Sequence, residues 1–308
     1  MEFSHKSVLL KESVDLLNVK PDGIYVDGTA GGGGHSEEIL KRLKKGKLIS
    51  IDQDPDAILA LKERLSKYQN SIIINSNFSK IRTVVQNLSV SGVDGVLLDI
   101  GVSSYQLDAP ERVFSYHNDA PLDMRMSKNG VSAFDVVNDF AEEKIGEIIK
   151  NYGEEKYFKS IARAIVKYRE NKKIYSTLEL AEIIKSSVPA KVRRENGHPA
   201  RKTFQAIRIF VNSELEVLEK GLDEAFSVLN KGARVAVITF HSLEDKIVKR
   251  KMQSWCRGCT CPPDFPVCVC ANKPKAKLVT RKAVEPSEDE IKENKRSRSA
   301  KLRVCEKI

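Results

Sequence analysis

Short apolar runs alternate with helical patterns along the first hundred residues of this 308-residue chain. The runs are rich in Val, Ile and Leu, which is typical of strands buried on both faces of a sheet. The predicted strands are Gly23–Asp27, Lys47–Asp52, Ser71–Asn75 and Asp94–Asp99, and a later one is Gly232–Phe240. The predicted helices are Ser36–Lys45, Pro55–Tyr68 and Ser79–Leu88, together with an amphipathic helix near the amino terminus.

Strands separated by helices of this length indicate βαβ units and a parallel sheet. The predicted fold class is therefore α/β, with a doubly wound and mostly parallel sheet. Lys277–Lys282 and Ala300–Cys305 could add a closing antiparallel pair.

The alternation stops after the fourth strand and resumes before the fifth. From Gln106 to about Lys202 the pattern is only helical, as in Ala141–Asn151, Glu155–Tyr168 and Thr177–Ser187. One long helical pattern then covers Thr203–Leu229. We expect a discontinuous domain formed by residues 1–107 and 203–308, interrupted by an all-helical insert at 108–202.

The charge is +10 and is unevenly distributed. Residues 241–308 contain 17 Lys and Arg against 9 Asp and Glu. Such a segment is either a solvated surface or a site for a phosphate-rich partner such as nucleic acid. No apolar run approaches the roughly 18 residues of a membrane span. We therefore expect a soluble, cytoplasmic protein with no membrane partner; the sequence leaves its oligomeric state open.

Candidate ligand-binding residues follow the predicted strands. Asp27, the run Gly31–Gly34, Asp52, the segment Asn75–Phe78 and Asp99 all stand at carboxyl ends of strands. Ligands of open parallel sheets bind at these ends, so the residues should share one site.

Asp52 narrows the choice of ligand. An acidic residue about 20 residues after a glycine loop can accept hydrogen bonds from a ribose diol, in NAD or in S-adenosylmethionine. Asp27 would repel a pyrophosphate but suits a sulfonium and an amino group, so S-adenosylmethionine is favoured. Phe78 could face adenine and Asp99 could receive an amine. Alternatively, Phe78 belongs to the core and Asp52 caps the following helix.

Several longer motifs carry a resemblance that spans nearly the whole chain. They are His5–Leu10, Asp27–Ser36, Leu98–Asp108, Phe114–Tyr116, Pro121–Met126, Thr203–Asn212, Phe240–Asp245 and Arg298–Arg303. With these motifs the chain resembles the MraW family, bacterial S-adenosylmethionine-dependent methyltransferases with a Rossmann-like sheet. The resemblance implies N4 methylation of a cytidine in the decoding region of 16S ribosomal RNA, with the small ribosomal subunit as partner. It implies cofactor contacts from Gly33, Gly34, His35, Asp52, Phe78, Asp99 and Gln106, of which His35 and Gln106 rest on the resemblance alone.

A cytidine amine is a poor nucleophile and needs an acceptor for its N–H. Many methyltransferases of exocyclic amines place Asp/Asn-Pro-Pro-aromatic after the fourth strand, whereas this chain has Asp99-Ile-Gly-Val. The acceptor could therefore be Asp99, a backbone carbonyl near Ile100, or Asp123 from the insert. Methylation of a pyrimidine C5 commonly needs a cysteine, and all six cysteines lie at or beyond Cys256. Methylation of a ribose hydroxyl stays open.

Basic residues near the end of the insert could position RNA phosphates. They are Arg193, Arg194, Arg201 and Lys202, close to Lys191 and Arg208. A solvated helix end is the alternative to this role. His241 could contact substrate or cap the next helix. Two further functions stay open, an RNA-assembly factor without chemistry and an NAD oxidoreductase.

Five cysteines fall between positions 256 and 270. Disulfides are unlikely to persist in a reducing cytoplasm, whereas four thiolates suit a closed zinc site. The predicted ligands of this structural zinc are Cys259, Cys261, Cys268 and Cys270. Cys256 with Cys259 offers an alternative set, and a reduced loop without metal is the alternative to any site.

Overall fold

The computed structural model describes residues 7–101, 119–126, 130–193, 197–259, 261, 265, 267, 269–270 and 272–308. The chain divides into two compact units. The first comprises residues 1–101 and 215–308, and the second comprises residues 102–214. The function expected of each predicted domain remains a prediction.

A seven-stranded sheet forms the centre of the first unit. Its strands are β1 (Ile24–Asp27), β2 (Lys47–Asp52), β3 (Ser71–Asn75), β4 (Val93–Asp99), β5 (Leu229–Thr239), β6 (Ala276–Leu278) and β7 (Lys301–Lys307). They lie in the order β3-β2-β1-β4-β5-β7-β6. The first five are parallel, and β7 is antiparallel to both of its neighbours. The predicted fold class and the closing antiparallel pair are confirmed.

The strand order reverses between β1 and β4, because β2 and β3 follow β1 to one side while β5 follows β4 to the other. Ligands of doubly wound sheets bind outside the carboxyl ends of the strands at such a reversal. The ends of β1, β2 and β4 carry Asp27, Asp52 and Asp99. The topology therefore brings the predicted site residues of this unit to one edge.

The helices of the first unit alternate with these strands along the sequence. They are α1 (Leu10–Leu17), α2 (Gly34–Arg42), α3 (Pro55–Arg64), α4 (Ile81–Asn87), α11 (Glu214–Val228, of which Leu215 onward belongs to this unit), α12 (Ser242–Cys256) and α13 (Glu288–Glu293). Short 3₁₀ turns cover Phe78–Lys80 and Lys295–Ser299. Among the described residues, no helix combines the length and the apolar character needed to cross a membrane.

The regular elements described in the second unit are helices, in agreement with the predicted helical insert. Its helices are α5 (Ala133–Asp139), α6 (Glu142–Gly153), α7 (Phe158–Arg169), α8 (Thr177–Ser187), α9 (Ala190–Arg193) and α10 (Arg201–Val211). They enclose a core of their own, which includes Ile145, Ile149, Ile161, Ile165, Leu180, Phe204 and Ile207.

The prediction of one helix over 203–229 is wrong. The chain breaks at Ser213, which adopts a left-handed φ of 47°, so that α10 ends at Val211 and α11 begins at Glu214. The Asn212 side chain donates to the Met124 carbonyl at 2.8 Å and accepts from the Met126 N–H at 2.8 Å. These hydrogen bonds join the residue at the break between the two helices to a segment more than 80 positions earlier in the chain.

Both faces of the sheet are buried. Side chains on one face include Val26, Ile49, Leu98 and Val237, and they form one core cluster. Their neighbours in sequence, including Tyr25, Leu48, Leu97 and Ile238, belong to a second cluster. This explains why the predicted strands are apolar at consecutive positions.

Candidate active site

The glycine run turns the chain from β1 into α2. Gly31 and Gly33 have φ angles of 50° and 80°, in the left-handed region that favours glycine. Gly33 is the N-cap residue of α2, and a Cβ on Gly34 would overlap the Ser7 side chain. The run is thus required by backbone conformation and by close packing. It places the N-terminus of α2, whose first residues are buried, directly after the end of β1.

Asp27 is hydrogen-bonded to residues on both sides of the glycine run. It is fully buried, accepts a hydrogen bond from the Ser36 hydroxyl at 2.7 Å and another from the Thr29 N–H at 3.3 Å. Ser36 in turn lies 2.9 Å from the Ser50 hydroxyl. Burial raises the pKa of Asp27 to about 6. The expectation that Asp27 faces a sulfonium is not supported by this geometry, because its carboxylate is enclosed by the scaffold.

Asp52 joins the glycine loop to the end of β2. Its Oδ2 accepts from the Gly31 N–H at 2.8 Å, and its Oδ1 accepts from the Asp54 N–H at 2.8 Å. Burial raises the pKa of Asp52. The N-cap of α3 is Asp54, which accepts from the Asp56 N–H, so the alternative role of Asp52 as cap is excluded. Each carboxylate oxygen of Asp52 keeps a lone pair for a further donor such as a ribose hydroxyl.

Asp99 and His35 meet at the end of β4. The His35 Nδ1 lies 3.7 Å from the Asp99 Oδ2, and the Asp99 N–H donates to the Thr29 hydroxyl at 2.6 Å. The Asp99 Oδ1 is buried and has no hydrogen-bond partner among the described residues. Burial, together with the charges of Asp27 and Glu244, raises the pKa of Asp99 well above the ordinary carboxyl range. A buried carboxyl oxygen without a donor is suited to receive one from a ligand.

His35 has a defined orientation. Its ring is 4% exposed and its Nε2 lies 3.2 Å from the Val8 carbonyl oxygen. A carbonyl only accepts, so Nε2 carries a proton and Nδ1 is the ring atom directed at Asp99. This arrangement holds the His35 ring against Val8, with Nδ1 3.7 Å from the Asp99 carboxylate.

Phe78 lies at the start of the 3₁₀ turn after β3. A Cβ on Gly221 of α11 would overlap the Phe78 ring, so the ring rests directly on that helix. The residue is half-buried and packs against the core of the sheet. Phe78 therefore has the core contacts that the sequence allowed, and it keeps an accessible part for a ligand.

His241 caps α12. Its Nδ1 accepts from the Glu244 N–H at 3.4 Å, while the Glu244 carboxylate accepts from the His241 N–H at 3.2 Å. Of the two roles considered for His241, the structure shows the cap.

The other predicted site residues that the structure describes, apart from the cysteines, lie in the second unit. Asp123, in the second unit, forms a bidentate ion pair with Arg125, at 2.7 and 2.8 Å. Arg193 and Arg201 are exposed at α9 and at the start of α10, and the Lys202 ammonium donates to the Glu154 carbonyl at 3.2 Å.

The sulfur atoms of Cys259, Cys261 and Cys270 lie within 4.8 Å of one another. Gln106, Arg194 and Cys268 lie outside the described residues.

A comparison with known proteins decides the family. The profile described as the MraW methylase family matches residues 2–308. The chain belongs to the MraW methylase family. Two curated relatives, from Clostridium botulinum strains Kyoto (type A2) and 657 (type Ba4), are each 56% identical over 310 residues, with complete coverage of both chains. Each is called ribosomal RNA small subunit methyltransferase H.

Solved structures are less similar. An rRNA methylase from Streptococcus thermophilus aligns with a TM-score of 0.44 and 11% identity, over 99% of each chain. The family match and the two relatives confirm the resemblance found in the sequence and the coarser activity, that of a methyltransferase.

Three residues of this MraW-family site were not singled out from the sequence. Thr29 accepts from the Asp99 N–H, Ser36 binds Asp27, and Glu244 contributes to the field at Asp99. Thr29 and Ser36 lie on either side of the glycine run. The run itself was therefore the sequence signal that could have identified them. Nothing in the sequence pairs Glu244 with Asp99, because about 145 positions separate them and the sheet brings them together.

Proposed function

We propose that this chain is an S-adenosylmethionine-dependent methyltransferase that methylates N4 of a cytidine in the decoding region of 16S ribosomal RNA. The substrate class is supported by the two relatives, whose names specify the small ribosomal subunit. The choice of N4 rests on the sequence motifs and on the chemistry of the Asp99 carboxyl.

The observation that best supports this proposal concerns the buried Asp99 Oδ1, which has no hydrogen-bond partner among the described residues. Asp99 stands at the end of β4, where its N–H donates to Thr29 of the glycine loop and its other carboxyl oxygen, Oδ2, lies 3.7 Å from the His35 Nδ1. An unsatisfied buried acceptor costs about 1–3 kcal/mol, and an incoming N–H donor would recover that cost. The donor on the cofactor is the methionine amine, and the donor on the substrate is the cytidine amine.

The rest of the cofactor fits the same edge of the sheet. Asp52 has lone pairs for the ribose hydroxyls, and Phe78, which is only partly buried, would be the aromatic partner of adenine. The N–H groups at the start of α2, which begins at Gly34, would suit the carboxylate of the methionine moiety. We assign Gly33, Gly34, His35, Asp52, Phe78, Asp99 and Gln106 to cofactor binding on this basis and on the family motifs.

The residues of the site position the reaction more than they take part in it. When bound, S-adenosylmethionine would supply an electrophilic methyl group for N4, with its sulfonium sulfur as the leaving group. The displacement is in line and depends mainly on orientation. Asp99, or a carbonyl near Ile100, accepts the N–H that becomes acidic as N4 is alkylated, and the proton then leaves to solvent. Asp123 is less suited, because Arg125 occupies both of its oxygens.

The second unit would hold the RNA. Arg193 and Arg201 are exposed and can contact phosphates. Arg208 is less available, since it forms two hydrogen bonds with Glu214, at 2.8 and 2.9 Å. A cytoplasmic location and the small subunit as partner follow from this substrate. The structural zinc predicted from the sequence is a separate site and takes no part in the reaction.

The test uses small subunits from a strain that lacks the enzyme. These are incubated with the pure full-length protein and S-adenosylmethionine labelled in its methyl group, and the nucleosides are analysed by mass spectrometry. The label is expected in N4-methylcytidine at one position of the decoding region, and the Asp99→Ala protein should transfer far less. Label in a ribose methyl group or in another base would overturn the assigned chemistry, and no label would favour an assembly factor.

A further inference from the structure

Three cysteines come together after the end of α12. The Sγ atoms of Cys259, Cys261 and Cys270 all lie within 4.8 Å of one another, and Cys259 and Cys270 are separated by 3.7 Å. The segment that carries them has no helix or strand among its described residues before β6 begins at Ala276. Proximity of three thiols therefore does not follow from the geometry of a regular element.

The separation of the sulfur atoms discriminates between the kinds of site. A disulfide would bring two sulfurs to about 2.05 Å. Thiolates around a tetrahedral zinc, each about 2.3 Å from the metal, stand about 3.8 Å apart. The 3.7 Å between Cys259 and Cys270 corresponds to the metal geometry. A weak thiol hydrogen bond would also allow it, and this is the alternative that the experiment must exclude.

Two hydrogen bonds join the beginning and the end of the segment that carries the three cysteines. The Lys275 N–H donates to the Trp255 carbonyl at 2.8 Å, and the Asn272 side chain donates to the Gly258 carbonyl at 3.0 Å. A Cβ on Gly258 would lie 3.3 Å from the Pro274 ring, which shows how closely the two chain segments approach. The two ends of the segment are thus held together before any metal binds.

The large apolar side chains described in this segment are exposed. Phe265, Val267 and Val269 are 50%, 69% and 72% exposed. A segment with so little core needs another source of stability, and metal–thiolate bonds are the usual one in small irregular structures.

Cys256 belongs elsewhere. It is the last residue of α12, it packs against the core of the sheet, and burial raises the pKa of its thiol. It is not a member of the three-cysteine group, so the alternative set that pairs Cys256 with Cys259 is not favoured.

We propose that Cys259, Cys261 and Cys270 bind one zinc ion as thiolates. Soft sulfur ligands in a tetrahedral arrangement select zinc among the common cellular divalent ions. The ion has a structural role, because it fixes the exposed segment and its basic flanks, Arg257, Lys273 and Lys275, in one conformation. This inference is independent of the proposed methyl transfer.

The experiment measures metal in the full-length protein, purified under reducing conditions without a histidine tag. Elemental analysis is expected to give about one zinc per chain, which a thiol-modifying reagent should release. The variants Cys259→Ser and Cys270→Ser should each hold less than about a tenth of an equivalent. Cys256→Ser is the matched control and should keep its zinc. Replacement of zinc by Co²⁺ should give the absorption of tetrahedral thiolate coordination in the wild type and in this control only.

Three results would overturn the proposal. They are less than about a tenth of an equivalent in freshly prepared wild type, undiminished zinc in Cys259→Ser, or loss of zinc in Cys256→Ser without loss of fold. Circular dichroism of each variant, which reports on the α/β domain, separates loss of metal from loss of fold. Because the readout is metal content, failure of the methyltransferase assay would leave it unchanged.

Discussion

The backbone N–H of Gly31 donates to the Asp52 carboxylate at 2.8 Å, so one hydrogen bond fixes the glycine loop against the end of β2. The glycine loop, proposed to lie at the methionine end of the cofactor, is therefore joined directly to Asp52, the proposed acceptor for the ribose hydroxyls. A change at either position should be measurable at the other.

Replacement of Asp52 by alanine should weaken cofactor binding. The change removes the proposed acceptor for the ribose hydroxyls and leaves the N–H groups of Gly31 and Asp54 without it, so we expect a loss of about 1–3 kcal/mol in the affinity for S-adenosylhomocysteine. Isothermal calorimetry measures this loss. Glu63→Ala, an exposed change on α3, is the control. An unchanged dissociation constant for Asp52→Ala would remove Asp52 from the site.

Replacement of Gly221 by alanine should displace the Phe78 ring. The added methyl group would overlap the ring, and overpacking of this kind costs about 1–3 kcal/mol of stability. Urea unfolding and calorimetry with S-adenosylhomocysteine should both show a loss. Gly146→Ala, also within a helix, would make only ordinary contacts at 3.5 Å or more and should not destabilise. Equal effects of the two changes would contradict the close contact of Phe78 with α11.

The buried carboxylate of Asp27 should make the cofactor-free protein less stable as the pH rises. Its folded-state pKa of about 6 exceeds the ordinary value of 3.8, so the folded state binds the proton more tightly. The stability that Asp27 contributes is complete below pH 3.8 and is lost as the pH passes about 6. Asp27→Asn stays neutral and keeps acceptor and donor groups for Thr29 and Ser36.

We therefore expect Asp27→Asn to raise the free energy of unfolding at pH 8 by at most about 3 kcal/mol, with little gain at pH 4. Urea unfolding at the two pH values measures the difference. The exposed Asp22→Asn should give the same small effect at both. A gain for Asp27→Asn that is larger at pH 4 than at pH 8 would reverse the assigned direction of the pKa shift.

Asp99 should make cofactor affinity depend on pH. Its pKa is raised by burial and by Asp27 and Glu244, so it must lose a proton before it can receive a cationic amine. The affinity for S-adenosylhomocysteine should thus increase as the pH rises above the ordinary carboxyl range. In Asp99→Asn the affinity should be lower and this pH dependence should be absent. Parallel pH profiles of the two proteins would show that another group is responsible.

Exposed arginines of the second unit should carry the salt dependence of RNA binding. Replacing both Arg193 and Arg201 by glutamine removes up to two phosphate contacts and should reduce the slope of log affinity against log salt by about 1–2. Cofactor affinity should not change. Lys144→Gln with Lys159→Gln removes the same charge from other exposed positions of this unit. If both double variants have the wild-type slope, Arg193 and Arg201 are only part of a solvated surface.

Local patterns determined much of this fold. The limits of β2 and β3 agree with the prediction to the residue, because each apolar run ends at a polar residue where burial ends. Helix α5 could also have been predicted, since Ser132 and Asp135 form a capping box over it and such a pair is recognisable in sequence.

Other features depended on contacts between distant parts of the chain. The break at Ser213 interrupts no apolar pattern, and it is stabilised by Asn212 bonds to Met124 and Met126. The sequence could place Asp99 at the end of a strand, but its raised pKa comes from burial and from Asp27 and Glu244, which only the folded sheet brings near it. Likewise, the spacing of the cysteines allowed more than one ligand set, and the packing of Cys256 against the core distinguished between them. Residue type and periodicity thus determined which groups are available and on which element each one lies, whereas burial and long-range neighbours, which are properties of tertiary structure, decided their charge, their partners and their role.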